Sequence, residues 1–303
     1  MDVLSELLDG VRARGALFQQ TIIDQPWTLR FPDGSPLTLA TLVRGRAWIV
    51  PADGDPVAVG TGDIALIRGR APYSVTDDPG QSATGRVDQG PHTGESGSSE
   101  GLGGSTLLFS GAYTGQGEIS ERLLKILPEV LVLPDTECRG PLLDLLVEEV
   151  VGDRPGQQVM RDRMLDLMLV TTLRIWFDRS EAHAPAWYTA MADPVAGQAL
   201  RLLHDDPAHP WTVAELAARS GVSRAALARR FTAQVGEPPM AYLAAWRIDL
   251  AADLLRETDA TVGSIARKVG YANTFALSVA FKRLRGITPT EHRATPATAT
   301  AGR

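Results

Sequence analysis

The segment near the C-terminus with the sequence GYANTFALSVAFKRLRGITPTEHR carries the side chains best suited to binding chemistry. Asn273 and Thr274 stand at its front, and the cations Lys282 and Arg283 follow about two turns later, before Gly286. Asparagine and threonine cap the starts of helices, glycine ends them, and clustered cations attract polyanions. The segment is therefore predicted to be a short capped helix that presents positive charge.

Two stretches of the C-terminal part resemble each other. ELAARSGVS, which ends at Ser223, and SIARKVGYAN, which ends at Asn273, each contain an apolar residue, an alanine and then a glycine. The two glycines, Gly221 and Gly270, are 49 residues apart. Each stretch predicts a helix, a tight turn at the glycine and a second helix that starts at the serine or asparagine cap.

The segment between these two units predicts one long helix. PPMAYLAAWRIDLAADLLRET begins with proline at a helix start and keeps apolar residues at helical spacing as far as Thr258. A single rigid helix would hold the two units at a fixed separation. Their second helices could then enter successive major grooves on one face of a duplex, roughly 34 Å apart.

The charges are unevenly distributed along the 303 residues, whose net charge is −6. Residues 193–303 contain 14 Lys and Arg against 10 Asp and Glu, whereas residues 1–192 contain 16 against 26. A basic C-terminal part joined to an acidic N-terminal part indicates that only the former meets a polyanion.

The composition excludes several classes of protein. One cysteine, Cys138, excludes an intramolecular disulfide framework and fits a reducing compartment. No apolar run reaches the roughly 18 residues of a membrane-spanning helix, and the acidic N-terminus is unlike a secretory signal. We therefore expect a cytoplasmic protein outside the membrane. Cys138 is expected to be an inert packing residue, with a redox role as the open alternative.

The N-terminal part has the pattern of β-structure. Short apolar or alternating runs between Trp27 and Val75 are separated by Asp-Gly and Gly-Asp turns, which predicts a small antiparallel barrel or sandwich. Pro79–Gly104 has eight glycines and few large apolar side chains, so a flexible loop is predicted there. STLLFSGAYTG then resumes strand character. A doubly wound nucleotide-binding sheet is not expected, since strands and helices do not alternate.

Helical periodicity begins after the β-region. Pro141–Val151 and Gln157–Phe177 are predicted to be helices. The second has an apolar stripe that could pack on the barrel or form a dimer seam. Its members are Met160, Met164, Leu167, Met168, Thr171 and Ile175.

These motifs resemble the AraC/XylS family of transcriptional regulators, whose DNA-binding domain is a double helix-turn-helix. The resemblance is carried by the segment from WTVAELAARSGVS to LLRET and by TVGSIARKVGYANTFALSVAFKRLRGITPTEHR. More loosely, residues 5–180 resemble the cupin-type sensor of one branch of that family. The fold class expected is α+β with two domains, a cupin-like antiparallel β-barrel followed by helices and a C-terminal all-α double helix-turn-helix. The expected boundaries are 1–118 for the sensor with its loop at 79–104, 119–180 for a helical dimerisation segment, 181–195 for a linker, 196–293 for the DNA-binding domain and 294–303 for a disordered tail.

The resemblance also implies which residues face DNA. On the first recognition helix they are Arg224, Ala225, Ala228 and Arg229, and on the second Asn273, Thr274, Phe275, Ser278 and Val279. Arginine makes bidentate hydrogen bonds to guanine, so Arg224 and Arg229 are expected to read bases, with a solvated surface charge as the alternative. Lys282, Arg283 and Arg285 are expected to meet phosphate or solvent.

Phe275 and Val279 depart from the family pattern, in which polar or charged residues are frequent at these positions. Apolar side chains there can touch thymine methyl groups or pack internally. The second unit is therefore expected to read few bases by hydrogen bonds and to contribute mainly phosphate contacts and shape readout.

The sensor domain is expected to bind no metal and no cofactor and to catalyse no reaction. Metal-dependent cupins use histidines, yet only His92 falls in the β-region, and Ala40 and Tyr73 stand where the sensor branch often has histidine. A barrel still offers a concave interior for a small molecule. The candidate lining residues are Trp27, Arg30, Trp48, Arg68 and Tyr73, with core packing or surface exposure as the alternative.

We therefore expect a DNA-binding transcription regulator whose partner is double-stranded promoter DNA. A small-molecule effector in the cupin-like domain is expected to control it, and helices 141–177 to form a homodimer, with RNA polymerase as a further candidate partner. One alternative is a regulator controlled by abundance or by a protein partner. The other is a cupin enzyme with an added helical domain, which would need a bound metal.

Overall fold

The computed structural model describes residues 3–9, 17–32, 34–80, 86–88, 106–113, 117–138, 145, 148–149, 155–179 and 184–295. The chain divides into two compact units, which are described separately below. The first, called the C-terminal unit below, comprises Met1–Gly10, Gln116–Leu123 and His183–Arg303. The second, called the N-terminal unit, comprises Val11–Gly115 and Leu124–Ala182. The boundaries expected from the sequence had placed Met1–Gly10 and Gln116–Leu123 with the sensor and its helical segment instead.

Strands dominate the N-terminal unit. Its described residues form β1 Leu17–Ile23, β2 Thr28–Phe31, β3 Leu37–Arg44, β4 Ala47–Pro51, β5 Val57–Val59, β6 Ile64–Arg68, β7 Tyr73–Thr76, β8 Arg86–Asp88, β9 Thr106–Tyr113 and β10 Val130–Leu133. One sheet has the order β1-β9-β3-β6-β10 and the other the order β5-β4-β7-β2-β8. Neighbouring strands are antiparallel except for β2 and β8, which are parallel. The expected antiparallel β-domain is confirmed.

Apolar side chains fill the space inside these strands. In β4, Ala47, Ile49 and Pro51 are buried and alternate with half-buried residues, as expected for a strand with one face in the core. The buried cluster includes Trp27, Leu29, Ala40, Leu42, Ala47, Ile49, Val59, Ala65, Ile67, Tyr73, Val75 and Leu108. The alternation of the sequence thus sets which side chains form the core.

Strand β8 lies within the segment for which the composition predicted a flexible loop. Arg86–Asp88 pairs with Thr28–Arg30 at the edge of the second sheet. Backbone groups make this pairing, so it needs none of the large apolar side chains whose absence suggested a loop. Most of the remainder of 79–104 lies outside the described residues.

Helices make up the rest of the described chain. They are α1 Val3–Asp9, α2 Glu118–Leu124, α3 Asp135–Cys138, α4 Gln157–Asp178, α5 Ala186–Ala190, α6 Ala196–Asp205, α7 Val213–Arg219, α8 Arg224–Val235, α9 Pro239–Glu257, α10 Val262–Lys268, α11 Thr274–Arg285 and α12 Pro289–Ala294. No helix among the described residues is long and apolar enough to cross a membrane. The predicted helix at Pro141–Val151 lies mostly outside the described residues.

Helix α4 confirms the second predicted helix but not its single apolar stripe. Met164 and Met168 are buried, whereas Met160 and Leu167 are exposed. The buried face contains these two methionines together with Leu165, Leu169, Thr172 and Leu173. The Oη atom of Tyr113 in β9 donates a hydrogen bond of 2.7 Å to the Leu165 carbonyl, which anchors the helix on the sheet.

The predicted pair of helix-turn-helix units is confirmed in the C-terminal unit. Helices α7 and α8 form the first and α10 and α11 the second, and α9 joins them as one helix that starts at Pro239 and is capped at Thr258. Ser223 Oγ accepts the Ala226 amide at 3.2 Å, and Asn273 Oδ1 accepts the Ala276 amide at 2.9 Å. These are the two predicted caps.

Large apolar side chains form the cores of the two helix-turn-helix units. Of the residues expected in the core, Leu216, Leu227, Phe231, Ile265, Leu277 and Phe281 are fully buried, and Val222 is half-buried. His292 is also buried, and its ring centroid lies 5.3 Å from that of Phe281. It therefore takes the place of an aromatic core residue.

The segment expected to be a linker, 181–195, contains helix α5 in the structure. Ala190 at the end of this helix is fully buried. Asp193 Oδ1 accepts the amides of Val195 and Ala196 at 2.9 and 2.8 Å, and its Oδ2 accepts a hydrogen bond from Arg230 at 2.8 Å. These contacts order the end of the segment that was expected to be a linker.

Gly221 and Gly270 both have positive φ, at 68° and 86°, but their surroundings differ. A Cβ atom added to Gly270 would lie 2.7 Å from the Ala208 carbonyl oxygen, whereas nothing lies within 4 Å of one added to Gly221. Gly221→Ala is therefore expected to cost about 1–2 kcal/mol of unfolding free energy through backbone strain alone. Gly270→Ala should cost about 1–3 kcal/mol more because backbone atoms must move.

Urea unfolding of the full chain, followed by the helical circular dichroism signal, measures both costs. Equal losses of unfolding free energy for the two variants would contradict the close approach of residue 208 to the second turn.

Candidate nucleic-acid interface

The buried residues of α8 decide which of its side chains are accessible. Leu227, Phe231 and Val235 are buried and lie three or four residues apart, so one side of the helix turns inward. The positions expected to face DNA lie on the other sides. Arg224, Ala225 and Arg229 are exposed, and Ala228 is half-buried.

Two arginines of this helix are available to a ligand. Within the described part of the chain, neither Arg224 nor Arg229 takes part in an ion pair. Two neighbouring arginines are already engaged. Arg230 binds Asp193 at 2.8 Å, and Arg219 binds Glu215 at 3.1 Å and lies 5.0 Å from the Trp211 ring centroid. Among the described residues, Arg224 and Arg229 are therefore available to a ligand, whereas Arg219 and Arg230 form ion pairs within the protein.

Helix α11 turns Leu277, Ala280 and Phe281 into the core. Its outer face therefore carries the other predicted positions. Asn273, Thr274, Phe275 and Val279 are exposed, and Ser278 is half-buried. The Oδ1 atom of Asn273 is occupied as the helix cap, which leaves its amide group as a donor.

The cations at the end of α11 have different roles. Lys282 and Arg283 are exposed, as expected for phosphate contacts. The expectation for Arg285 is wrong, since it binds Glu118 and Asp249, each at 2.8 Å, and only 18% of its side chain is exposed. Burial alone would lower the pKa of Arg285, but these two carboxylates raise it. Its partners lie far away along the chain, so no local sequence signal could have identified them.

Arg285 belongs to a group of charged residues that we call the carboxylate–arginine cluster, formed by Glu118, Arg122, Asp249, Arg256 and Arg285. Glu118 also binds Arg256 at 3.2 Å, and Arg122 binds Asp249 at 2.8 Å. Burial would raise the pKa of Glu118, but Arg285 and Arg256 lower it. The cluster joins the segment Gln116–Leu123 to α9 and to the last residue of α11.

Asp253 of α9 adds a second kind of contact to the same segment. Its Oδ1 accepts the Glu118 amide at 2.6 Å and its Oδ2 accepts the Ile119 amide at 3.2 Å. The carboxyl group therefore caps the start of α2 from another helix. Burial, together with the charges of Glu257 and Glu118, raises the pKa of Asp253 to about 7, although the two amides lower it.

Helix α1 is held on the same unit by a buried histidine. His204 of α6 bonds through Nδ1 to Glu6 and through Nε2 to Tyr242 Oη at 2.7 Å, and its ring centroid lies 4.5 Å from that of Trp246. Both ring nitrogens thus have partners. The N-terminal helix is thus bonded to α6 through His204, which in turn bonds to α9, and no sequence motif announces these contacts.

The N-terminal unit has a cavity of about 330 Å³ beside strands β2, β4 and β7. It is lined by Arg30, Phe31, Pro32, Val50, Pro51, Ala52, Pro72, Tyr73 and Ser74. The rings of Phe31 and Tyr73 stack with centroids 4.6 Å apart. Burial raises the pKa of Tyr73 to about 12, although a hydrogen bond with Thr38 lowers it, so this hydroxyl stays protonated near neutral pH. The cavity is a mainly apolar site with one guanidinium group.

The structure brings two of the five expected pocket residues to this cavity, Arg30 and Tyr73. Trp27 is buried in the core, and Trp48 and Arg68 lie on other parts of the sheets without lining the cavity. Apolar side chains fill the concave interior of the sheets, where the pocket was expected, and the cavity lies beside β2, β4 and β7. Periodicity could identify the strands but not this displacement.

The described residues contain no group of three or more His, Cys, Asp or Glu side chains placed to hold a metal ion. Ala40 and Tyr73 both belong to the buried core cluster. His92 and the side chain of Cys138 lie outside the part of the chain that the structure describes.

The arrangement of a β-rich domain and paired helix-turn-helix units defines a two-domain DNA-binding regulator, and comparisons with known proteins agree. Residues 2–178 match the cupin family, and residues 216–295 match a helix-turn-helix domain family. An AraC-like transcription regulator of Streptomyces lividans is 35% identical over 98% of this chain and 99% of its own length. One of Streptomyces antibioticus is 33% identical over the same shares. The chain therefore belongs to the AraC-like transcription regulators with an N-terminal cupin domain.

A solved structure, the DNA-binding domain of AdpA in complex with a target DNA, is 31% identical over 34% of this chain and 92% of its own length. Its TM-score is 0.33.

The raised pKa of Asp253 predicts a dependence of stability on pH. A carboxyl group with a folded pKa near 7 and an ordinary pKa of 3.8 binds its proton more tightly in the folded chain. Its stabilising contribution is therefore complete below about pH 4 and is lost as the pH rises through about 7. Relative to Asp253→Asn, which cannot ionise, the wild-type unfolding free energy should fall over this range, by at most about 1.4 kcal/mol per pH unit.

Urea unfolding of both proteins at several pH values gives this difference. Burial lowers the pKa of His292, which also titrates in this range, but both proteins contain this residue and its effect on the difference cancels. Glu118→Gln serves as the matched comparison. Because the folded pKa of Glu118 is lowered, its contribution should be lost only as the pH falls below its ordinary value of 4.5. A constant difference between wild type and Asp253→Asn from pH 4 to 8 would contradict the proposed titration.

Proposed function

We propose that this regulator binds promoter DNA with α8 and α11 in two successive segments of the major groove. The observation that carries the proposal is the pair of exposed helix faces, which α9 joins as one helix. Its 19 residues span about 28 Å, close to the roughly 34 Å of one turn of a DNA duplex. One rigid helix could therefore set the register of both units on one side of the DNA.

The two units would divide the work of recognition. Arg224 and Arg229 are exposed and free of ion pairs among the described residues, so they can form bidentate hydrogen bonds with guanine. Lys282 and Arg283 lie in the last turn of α11, where they can contact the phosphates beside the groove. Sequence choice by hydrogen bonds is thus assigned to the first unit.

Arg229→Ala is expected to weaken binding to a cognate promoter fragment by about 1–3 kcal/mol, with a smaller loss on random DNA, because a base contact is removed. Arg230→Ala is the matched control, since this neighbouring side chain binds Asp193. It should leave the ratio of cognate to random affinity unchanged. Fluorescence anisotropy titrations at several salt concentrations measure both ratios.

An equal loss on cognate and random DNA would reassign Arg229 to a phosphate. Failure of the wild-type protein to prefer any promoter fragment over random DNA at all salt concentrations would overturn sequence-specific binding itself.

We further propose that a small organic anion binds the cavity beside β2, β4 and β7 and controls the regulator. The apolar walls favour an apolar or aromatic body, and the Arg30 guanidinium suits a carboxylate. The resemblance to cupin-type sensors supports a ligand in this unit but does not name it.

The segment Gln116–Leu123 is a covalent connection between the strands of the N-terminal unit and the unit that carries the proposed DNA contacts. The chain leaves β9 at Tyr113, passes through this segment and returns to strand structure at Val130 in β10. The carboxylate–arginine cluster and Asp253 hold the segment on α9 and α11. A ligand that changes the affinity for DNA must in turn have its own affinity changed by DNA binding, by the same factor.

A screen of small carboxylates by thermal unfolding tests the ligand site. A true ligand at 100 times its Kd should stabilise the protein by about 2.7 kcal/mol. Arg30→Ala should abolish that shift. Arg70→Ala, which removes an exposed arginine that does not line the cavity, should keep it.

A ligand whose shift is equal in both variants would bind elsewhere. The absence of any ligand in a broad metabolite screen would favour control by abundance or by a protein partner.

We also propose a cytoplasmic homodimer that acts on RNA polymerase. Helix α4 exposes Val159, Met160 and Leu167, an apolar surface of the kind that a second copy could cover. A cytoplasmic location is supported by the DNA partner and by the single cysteine.

A further inference from the structure

The outer face of α11 carries an apolar pair that the rest of the described chain leaves uncovered. Phe275 is 78% exposed and Val279 is 54% exposed. Phe275 is the most exposed large apolar side chain among the described residues. The two lie one turn apart, so they form a single row on the helix surface. Internal packing, one of the two explanations open to these residues, is therefore excluded.

The surroundings of this pair indicate a nucleic acid as its partner. Lys282 lies about one turn beyond Val279 on the same side of the helix, with Arg283 beside it, and both are exposed. Neither forms an ion pair with another described residue. An apolar row that continues into cations matches the floor and the phosphate edge of a groove better than an apolar protein surface, which would leave the cations without partners.

Only one base offers these side chains a favourable contact in the major groove. The C5 methyl group of thymine is the largest apolar group on a base edge there, and the other bases present mainly donors and acceptors of hydrogen bonds. Phenylalanine and valine can satisfy none of the latter. Covering the edge of guanine, cytosine or adenine would take polar groups out of water without a replacement bond, which is unfavourable.

We propose that Phe275 and Val279 make the second helix-turn-helix unit a reader of thymine methyl groups, an inference that rests on the proposed binding of α11 in the major groove. The two units then recognise DNA by different chemistry. The first hydrogen-bonds to guanine through arginine, and the second packs on methyl groups. The preferred site combines guanine in one part with thymine about one helical turn away.

Deoxyuridine provides a direct test because it differs from thymidine only in lacking the C5 methyl group. The preferred site is first selected from random duplexes with the full-length protein. Each thymine is then replaced singly by deoxyuridine and the affinity is measured. We expect a loss of about fourfold for each methyl group that is contacted, the value for withdrawing one such group from water. The loss should be confined to the part of the site bound by the second unit.

Three variants connect the effect to the named side chains. Phe275→Ala and Val279→Ala are changes at exposed positions, and each should abolish the discrimination of thymine from uracil at its own position. Leu284→Ala is the matched control, an exposed apolar residue about two and a half turns after Phe275 and therefore on the opposite side of the same helix. It should retain the full discrimination.

Several results would overturn the proposal. One is equal affinity for thymine and uracil at every position of the selected site, and another is discrimination that survives in both alanine variants. A third is a Phe275→Ala variant that keeps the discrimination but no longer activates transcription in vitro, which would assign this face to RNA polymerase. If instead no sequence is selected at all, the proposed sequence-specific binding fails, and that outcome is distinct from the other three.

Discussion

A carboxylate that is withdrawn from water must be surrounded by cations or N–H donors, and this requirement organises one side of the C-terminal unit. Glu118, whose side chain is 9% exposed, meets its requirement through Arg285 and Arg256. Asp253 meets its own only in part, through the amides that begin α2, and its pKa stays raised. Because these partners come from α9, α11 and the segment Gln116–Leu123, the same contacts fix all three elements together. Removing one partner would leave a buried charge without compensation, so the three elements should move as one body.

This internal use of charge changes what α11 can offer to DNA. Arg285 is occupied, and what remains accessible is the pair Phe275 and Val279 together with Lys282 and Arg283. On α8, Arg230 is likewise bound to Asp193, while Arg224 and Arg229 stay accessible. The chemical difference between the two helices therefore lies in the side chains of their outer faces, arginine on α8 and the apolar pair on α11. Under the proposed mode of binding, such a regulator would gain specificity from two unlike kinds of contact.

Much of the C-terminal unit was predictable because the interactions that define it are local. Ser223 and Asn273 cap the helices that follow them, and Gly221 and Gly270 supply the positive φ of the turns. The spacing of apolar residues then fixed which faces turn inward. In the N-terminal unit, alternation identified the strands and their buried faces. It could not identify β8, whose pairing uses backbone groups, nor the cavity, whose position depends on how completely the core fills the interior.

The sequence by itself determined the helix starts and ends, the two helix-turn-helix units and the faces exposed on α8 and α11, because capping, turn conformation and helical period act within a few residues. Only the tertiary structure decided which charged residues are free. The amide of Glu118 and the carboxylate of Asp253 are separated by 135 residues along the chain, and nothing near either one announces the other. Their pairing, like that of Arg285 with Glu118, arises from burial, which raises the free energy of any unpaired charge and so selects partners by proximity in space.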